Sequence, residues 1–249
     1  MIAGIDIGSR SMELVVLEGE EITLSRRLPT TFDPRKQLVN LLEGVRPSHV
    51  VATGYGRQLA AGYGFDADVQ TVTEIKAHAR GAVHFFPEAR AVLDIGGQDT
   101  KAIALGPNGR VLKFEMNDRC AAGTGKFLEH LANVFQIPVE EFGDYALAGE
   151  KCLTINSMCT VFAETEATSL MAGGEQPQSI ALGLHASVVA RTANMLRRVG
   201  GATPVVFAGG VARNPCMVRL MSEALEAVPL IPENPDMNGA LGAALCAKL

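Results

Sequence analysis

The sequence predicts an α/β protein made of two similar halves, and three observations support this. The segment Ala3–Ser9 (AGIDIGS) recurs as Ala91–Gly97 (AVLDIGG), 88 residues further along the chain. In each half a second apolar run follows at once, Met12–Leu17 and then Thr100–Leu105, as in a β-hairpin. Helical patterns alternate with short β-branched runs elsewhere, which is typical of α/β folds.

The first half, residues 1–88, accounts for about a third of the chain. Its first strand is apolar and ends in a tight glycine turn, and Pro34 stands at the first position of a helix, where proline is favoured. The predicted elements are strands at Ala3–Ser9, Met12–Leu17, Glu20–Arg27 and His49–Thr53, a helix from Asp33 to about Glu43, and a helix from Thr73 that stops before Pro87.

The second half, residues 89–249, repeats the hairpin and is richer in helix. Pro107-Asn108-Gly109 predicts a turn into a third strand. The predicted elements are strands at Ala91–Gly97, Thr100–Leu105, Arg110–Glu115, Pro204–Ala208 and Pro229–Ile231, and helices at Cys120–Phe135, Val139–Ala148, Thr160–Ala172, Pro177–Val199, from about Asn214, and Asp236–Lys248.

Composition excludes several classes of function. Apolar residues make up 47% of the chain, charged residues 20%, and the net charge is −5 with no basic cluster, which argues against a nucleic-acid surface. The N-terminus reads as a strand and not as a signal peptide, and no apolar run is long enough to span a bilayer. Five cysteines at irregular spacing are a poor disulfide framework, so we expect a reducing, cytoplasmic setting.

The repeated glycine turns favour a nucleotide triphosphate held between the halves. Glycines let the backbone approach phosphate oxygens, and successive N–H groups form an anion-binding nest. Asp6 and Asp94, each at a strand end beside a turn, are placed to hold a hydrated Mg²⁺. A further strand runs into Gly209-Gly210. A P-loop motif is absent from the sequence.

Two cysteines lie where helices are predicted to start. Asp118 and Ser157 are suitable N-caps, which would place Cys120 and Cys159 in or beside a first helical turn, where backbone N–H groups and the helix dipole favour a thiolate. The alternative is that both are small buried hydrophobic residues. Cys152, Cys216 and Cys246 lie in apolar patterns and are predicted to be core residues.

Together these motifs resemble the actin/Hsp70/sugar-kinase superfamily. Within it, four motifs resemble the activator ATPases (component A) of 2-hydroxyacyl-CoA dehydratases, a family that includes the ATPase subunits of benzoyl-CoA reductase. They are Ala52–Arg57 (ATGYGR), Asp94–Asp99 (DIGGQD), Asn117–Gly125 (NDRCAAGTG) and Cys159–Glu164 (CTVFAE). The resemblance covers nearly the whole chain. It implies duplicated ribonuclease-H-like halves, as in actin-like ATPases, with the nucleotide in the cleft between them.

The resemblance also implies the residues that bind ATP or ADP. The two phosphate loops match Asp6–Ser11 and Asp94–Thr100, the adenosine motif matches Ala208–Asn214, and Gly239–Ala243 matches the second connecting segment. The implied cofactor-binding residues are therefore Gly8, Ser9, Arg10, Ser11, Gly96, Gly97, Gln98, Gly209, Gly210, Asn214 and Gly239.

An iron–sulfur cluster and a set of partners are implied as well. A [4Fe–4S] cluster normally takes four thiolates, so Cys120 and Cys159 of two chains in a homodimer would supply the set. The implied function is an ATP-hydrolysing activator that passes one electron to a dehydratase or related reductase, with ferredoxin or flavodoxin as donor. The sequence does not identify the partner enzyme.

Gln98 distinguishes hydrolysis from kinase chemistry. Sugar kinases of this superfamily use a carboxylate base, whereas glutamine can only orient an attacking water. The implied catalytic residues are therefore Gln98, Asp6 and Asp94. Two alternatives stay open: a small-molecule kinase of sugar or pantothenate type, with Asp99 as the candidate base, and a nucleotide-binding scaffold whose cysteines are incidental.

The first phosphate loop departs from the family pattern. Relatives commonly read Gly-Ser-Thr-x-x-Lys, whereas here Arg10 follows Ser9 and Glu13 stands at the lysine position; the second loop keeps Lys101. His78 and His84 are predicted to be packing or surface residues. Glu164 and Glu166 are predicted only to suit the dipole of the helix after Cys159.

Overall fold

The computed structural model describes residues 1–157 and 159–247, which form two mixed β-sheets with helices packed around and between them. The strands are β1 (Ile2–Ile7), β2 (Ser11–Glu18), β3 (Glu21–Pro29), β4 (His49–Thr53), β5 (Asp68–Thr71), β6 (Ala91–Ile95), β7 (Thr100–Leu105), β8 (Val111–Asn117) and β9 (Val205–Ala208). The helices are α1 (Pro34–Leu41), α2 (Arg57–Ala61), α3 (Glu74–Phe85), α4 (Gly125–Val134), α5 (Phe142–Leu147), α6 (Thr160–Ala172), α7 (Pro177–Arg198), α8 (Pro215–Leu225) and α9 (Asn238–Ala244).

The two sheets repeat one topology. The first has the order β3-β2-β1-β4-β5, with β1, β2 and β3 antiparallel and β4 and β5 parallel to β1. The second has the order β8-β7-β6-β9 with the same directions. The predicted strand at Pro229–Ile231 is reduced to one parallel bridge between Val206 and Leu230, at the place that β5 occupies in the first sheet.

The duplication extends to the loops. Gly54 follows β4 and Gly209 follows β9, both with positive φ (+89° and +82°). A side chain at Gly54 would collide with the carbonyl of Ile7, and one at Gly209 with that of Ile95. Because Ile7 and Ile95 end the matching strands β1 and β6, each half needs the same left-handed glycine against the same carbonyl.

Helices α3 and α9 fill the space between the sheets. Ala79 and Ala82 of α3 pack on Val92 and Ile103 of the second sheet, while α9 packs on Val15 and Leu17 of the first. The outer face of the second sheet is covered by a larger core that includes Phe127, Phe142 and Phe207.

Helix α9 is rich in small residues because its backbone runs very close to its neighbours. A Cβ on Gly242 would collide with the carbonyl of Ala77 in α3, and one on Gly4 of β1 would collide with the carbonyl of Ala240. The boundary proposed between residues 88 and 89 stays a prediction. Helix α9 belongs to the second half in sequence but packs on the sheet of the first half.

Several predicted boundaries are corrected. Helix α2 and strand β5 were not predicted, α4 begins at Gly125 and not at Cys120, and Ser157 does not cap α6, because Cys159 is its N-cap residue. The remaining predicted helices and strands are present, with ends that differ by a few residues. The predicted last helix reaches Lys248, which lies outside the described residues.

Candidate nucleotide cleft and cysteine sites

A cleft of about 520 Å³ lies between the two sheets. Its walls are the turns after β1 and β6, the segment after β9, and one face each of α3 and α4. Among the residues proposed from sequence, the cleft is lined by Asp6, Gly8, Ser9, Arg10, Ser11, Asp94, Gly96, Gly97, Gly209, Gly210 and Asn214. Gln98 and Gly239 are not lining residues.

The two glycine turns have the same hydrogen bond at equivalent positions. The N–H of Gly8 donates to the carbonyl of Ser11 at 3.0 Å, and the N–H of Gly96 donates to that of Asp99 at 2.9 Å. These turns keep the strand-end aspartates at the cleft floor and leave the exposed residues Ser9 and Arg10 at its edge.

The turns are braced by different elements. In the first half, the hydroxyl of Thr30, after β3, donates to the carbonyl of Gly8 at 2.7 Å. In the second half, the first backbone N–H groups of α4 take this role: Gly125 donates to the carbonyl of Gly96 at 2.9 Å and Lys126 to that of Gly97 at 2.8 Å. The second turn is therefore attached to the helix that directly follows the Cys120 loop.

The cross-strand partner of one aspartate is a base and that of the other is an acid. Asp94 pairs in register with Lys101, and Asp6 pairs with Glu13. The Lys101 ammonium lies 2.8 Å from Asp99, 2.9 Å from Glu74 and 3.6 Å from Asp94. Burial alone would lower the pKa of Lys101, but these carboxylates outweigh burial and raise it above its usual range.

His78 on α3 is a cleft residue that sequence reasoning missed. Its Nδ1 lies 3.1 Å from Asp94 Oδ2 and its Nε2 lies 3.7 Å from Asp6 Oδ2, so it stands between the two aspartates. The amide of Asn238 donates to the backbone carbonyl of His78 at 3.1 Å. Glu74 and His78 are four residues apart, on one helix face, which is the pattern that could have indicated them. His84 is exposed, as predicted.

The two aspartates differ in their electrostatics. Burial raises the pKa of Asp6 to about 6, and His78 and Lys101 oppose this only in part. Burial would also raise the pKa of Asp94, but His78 and Lys101 outweigh it and hold that pKa below its usual range. Burial, together with the neighbouring Asp6, raises the pKa of Glu13 to about 8.

The donor set of the cleft fits a hydrated divalent cation. Asp94 Oδ2 is buried and makes no hydrogen bond within the described residues, although His78 Nδ1 lies 3.1 Å away. A buried carboxylate oxygen without a hydrogen bond is costly unless a cation or water completes its shell. Asp6, on the opposite side of His78, supplies a second carboxylate.

Three of the proposed residues have constrained or peripheral positions. The Asn214 side chain is already engaged: its Oδ1 caps α8 by accepting from Met217 N–H at 3.0 Å, and its amide nitrogen lies 3.1 Å from His185 Nε2. A Cβ on Gly239 would collide with Asp6, so this glycine makes room behind the cleft wall. Gln98 is exposed at the tip of the second turn.

Cys120 lies in an exposed loop and not in a helical turn. Gly123 in this loop has φ +87°, which delays the helix, and the hydroxyl of Thr124 donates to the carbonyl of Ala121 at 2.7 Å. The Asn117 amide donates to the carbonyls of Cys120 and Ala122 at 2.9 and 3.0 Å. These bonds shape the loop so that the Cys120 side chain remains exposed.

Cys159 is also exposed, at the start of α6. Glu166 has a role beyond the dipole, because its carboxylate accepts from the backbone N–H of Asn156 at 2.9 Å and of Ser157 at 2.7 Å. Burial would raise the pKa of Glu166, but these hydrogen bonds outweigh it and lower the pKa. Helices α4 and α6 contact each other through His130 and Glu164, 2.7 Å apart.

The other three cysteines differ in their exposure. Cys216 is buried and Cys246 is half-buried, but Cys152 is exposed, so its prediction as a core residue is wrong. It lies in a segment without regular structure before α6. In the described part of the chain no three Cys, His, Asp or Glu side chains cluster as metal ligands. The donor chemistry at Cys120 and Cys159 is thus two exposed thiols per chain, which fits half of a four-thiolate cluster.

The model of the BadF/BadG/BcrA/BcrD ATPase family matches residues 3–247. The chain belongs to this family. It is 41% identical to the 2-hydroxyisocaproyl-CoA dehydratase activator of Clostridioides difficile, over 98% of this chain and 93% of that protein. Membership confirms the predicted ATPase class, and the described helices include none long and apolar enough to cross a membrane.

Solved structures confirm the actin-like fold of this family. The crystal structure of (R)-2-hydroxyglutaryl-CoA dehydratase component A from Acidaminococcus fermentans matches with a TM-score of 0.91 at 36% identity, over 99% of this chain and 96% of that one. The Clostridium difficile activator of 2-hydroxyisocaproyl-CoA dehydratase with bound ADPNP matches with a TM-score of 0.87 at 39% identity, over 98% and 92%.

Proposed function

We propose that this protein is an ATP-hydrolysing, homodimeric activator that drives one-electron transfer to a partner 2-hydroxyacyl-CoA dehydratase or a related reductase. The observation that carries the proposal is the attachment of α4 to the second glycine turn through Gly125 and Lys126. The nucleotide cleft and the Cys120 loop thereby share one element. A change at the phosphates is passed to the thiol loop through two backbone hydrogen bonds.

Nucleotide binding is assigned to the cleft. The turns at Gly8 and Gly96 offer backbone N–H groups to phosphate oxygens, and the segment at Gly209-Gly210 offers a surface for adenosine. Asp6 and Asp94 would hold Mg²⁺ through water, with Asp94 ionised throughout the neutral range because His78 and Lys101 favour its charged form. The ADPNP bound by the similar activator supports this assignment.

Water, and not a substrate hydroxyl, is the proposed acceptor of the phosphoryl group. A kinase needs a free carboxylate base near the acceptor, and the candidate Asp99 is held by Lys101 at 2.8 Å. Gln98, next to it, is proposed to orient the attacking water when nucleotide is bound.

Cys120 and Cys159 of two chains are proposed to hold one [4Fe–4S] cluster. When bound, the cluster would supply the one-electron carrier that no amino-acid side chain here provides. The chain's own part is to present two exposed thiols on braced loops: Asn117 holds the Cys120 loop and Glu166 holds the segment before Cys159. Ferredoxin or flavodoxin is proposed as the electron donor.

The names of the relatives support the class of enzyme proposed as the partner. They are described as activators of acyl-CoA dehydratases, so the proposed partner is an enzyme of that class with its own electron-accepting centre. ATP is proposed to drive a conformational change. Hydrolysis can act on the partner only if the partner binds the ATP state and the ADP state of this protein with different affinities.

Anaerobic purification followed by an absorption spectrum and ATPase assays tests the proposal. We expect a brown protein that hydrolyses ATP and, with reduced donor and ATP, activates a dehydratase component. Replacing ATP with ADPNP should abolish continued activation. A colourless protein, with iron absent after anaerobic reconstitution, would refute the electron-transfer function and favour the scaffold alternative.

A further inference from the structure

Arg10 forms an ion pair across the mouth of the cleft. Its guanidinium lies 2.7 Å from the carboxylate of Glu129 on α4. Its aliphatic chain lies against Gly97, where a side chain would collide with it. Arg10 therefore reaches from the first glycine turn over the second one to the helix that braces that second turn.

The cleft as a whole is short of positive charge. Its wall carries eight carboxylates against four lysine and arginine side chains. The carboxylates belong to Asp6, Glu13, Glu74, Asp94, Asp99, Glu129, Glu140 and Asp236, and the cations to Arg10, Arg27, Lys101 and Arg213. A triphosphate adds further negative charge, so a side-chain cation that can turn toward it would favour its binding beside the proposed Mg²⁺.

Three of the four cations pair with at least one carboxylate that is almost fully buried. Lys101 is bound by three carboxylates. Arg27 and Arg213 both contact Asp236, at 3.6 and 2.6 Å, and Arg27 also lies 3.3 Å from Glu13. Arg10 differs in its partner, because Glu129 is 24% exposed, whereas the Asp236 that Arg27 and Arg213 share is 4% exposed.

We propose, on the basis of the nucleotide site proposed above, that Arg10 and Glu129 form a nucleotide-sensing pair. In the nucleotide-free protein Glu129 holds the Arg10 guanidinium, and bound nucleotide takes it over through its phosphate oxygens. A half-exposed ion pair contributes little to stability, whereas a guanidinium binds phosphate strongly and can do so through two parallel hydrogen bonds. The exchange therefore favours the phosphate and releases Glu129 from the first turn.

The pair gives α4 a second link to the nucleotide. The first is the backbone connection to Gly96 and Gly97, which is the same in both states unless the turn itself moves. The ion pair between Arg10 and Glu129 differs, because it is present in the nucleotide-free state and broken in the nucleotide-bound state. Since Glu129 lies on the helix that follows the Cys120 loop, breaking the link changes the restraint on that helix.

Titration of the full-length variants with Mg·ADPNP and Mg·ADP tests the pair. Glu129→Gln removes the carboxylate that competes with the phosphates for Arg10. We therefore expect nucleotide to bind about two- to fivefold more tightly, because one half-exposed ion pair is worth about that much. Arg10→Ala should weaken binding by about tenfold or more. In the Arg10→Ala background, Glu129→Gln should have no effect, because the competition no longer exists.

Glu140→Gln is the matched control. It removes an exposed carboxylate from the same cleft wall, so it reports simple relief of repulsion. Equal tightening by both glutamine variants, or a Glu129→Gln effect that persists in the Arg10→Ala background, would overturn the proposal. A wild-type protein that binds neither nucleotide would instead contradict the nucleotide site itself, while binding with an unchanged Glu129→Gln variant would contradict the pair alone.

Discussion

Positions 13 and 101 occupy the same place in the two copies of the repeated unit, but one is an acid and the other a base. Each lies opposite an aspartate across an antiparallel pair, Glu13 beside Asp6 and Lys101 beside Asp94. His78 and Lys101 together keep Asp94 ionised, whereas Glu13 adds a second buried acid beside Asp6. The two halves therefore differ in charge. Asp94 in the second half is ionised, whereas Asp6 and Glu13 in the first half are buried acids with raised pKa values.

Glu13 makes the stability of the protein depend on pH. Its pKa is about 8 in the folded protein and 4.5 in the unfolded chain, so the folded state binds this proton more tightly. The resulting stabilisation is complete below about pH 4.5 and is lost as the pH rises through 8. We expect the free energy of unfolding to fall by roughly 1–3 kcal/mol between about pH 5 and pH 9, measured by urea denaturation.

Glu13→Gln should flatten this dependence above about pH 6, leaving at lower pH the smaller slope that Asp6 contributes in the same direction. The exposed Glu20→Gln, in the turn between β2 and β3, serves as control and should keep the wild-type profile. A Glu13→Gln variant with the same slope as wild type would show that other groups set it.

Gln98 is the proposed water-orienting residue although its side chain is exposed. It lies in the second turn, next to Gly97, and the proposal requires it to reach the phosphates when nucleotide fills the cleft. We expect Gln98→Ala to lower ATP turnover by about 10² or more while ADPNP affinity stays within about twofold. Turnover equal to wild type would leave Gln98 as a solvated loop residue.

Among the elements, the start of α4 shows where sequence reasoning succeeds and where it stops. The repeat at an offset of 88 residues predicted both hairpins and both glycine turns, because local apolar patterns determine them. The start of α4 was placed five residues too early, at Cys120. Its first N–H groups are satisfied by Gly96 and Gly97, which are distant in sequence, and local capping signals such as Asp118 do not report such partners.

The missed elements have a similar physical cause. Strand β5 is four residues long, polar in part and parallel to β4, so it lacks the alternation that indicates a strand. His78 was interpreted as a packing or surface histidine because it lies beside apolar residues on its helix. Its place between Asp6 and Asp94 depends on how α3 lies between the two sheets, which no motif encodes.

Contact between α4 and the second turn is testable at Gly125. A Cβ there would lie 3.0 Å from the carbonyl of Gly96 and 3.2 Å from Val211, so Gly125→Val must push the helix start away from the turn. We expect ADPNP affinity to fall by about tenfold, as the turn loses its brace. Gly62→Ala, with its nearest neighbour at 3.6 Å, is the control, and equal affinities in the two variants would show that the brace is unnecessary.

For the whole molecule, the proposed cluster requires a second chain. One chain offers the two proposed ligands Cys120 and Cys159, and the described residues contain no group of three possible metal ligands, so the proposed cluster with four thiolates would lie across a two-fold axis. We expect about two irons per chain. Cys120→Ser or Cys159→Ser should remove the iron and weaken the dimer, as measured by iron analysis and light scattering.

Cys152→Ser is a sharp control because Cys152 is also exposed but is not a proposed ligand; it should keep both the iron and the dimer. Cys216→Ser changes a buried residue and should keep the iron while losing some stability. About four irons per chain, or iron that survives Cys120→Ser, would show that the ligand set is wrong.

The position of α9 has a consequence for biosynthesis. The strands of the first sheet are all made by Thr71, yet the inner face of that sheet is covered by α9, which starts at Asn238. Translation therefore leaves Val15 and Leu17 without their cover until nearly all of the second half has left the ribosome. The first half of the nascent chain therefore has an exposed apolar face while most of the second half is being made. Chaperones bind surfaces of this kind.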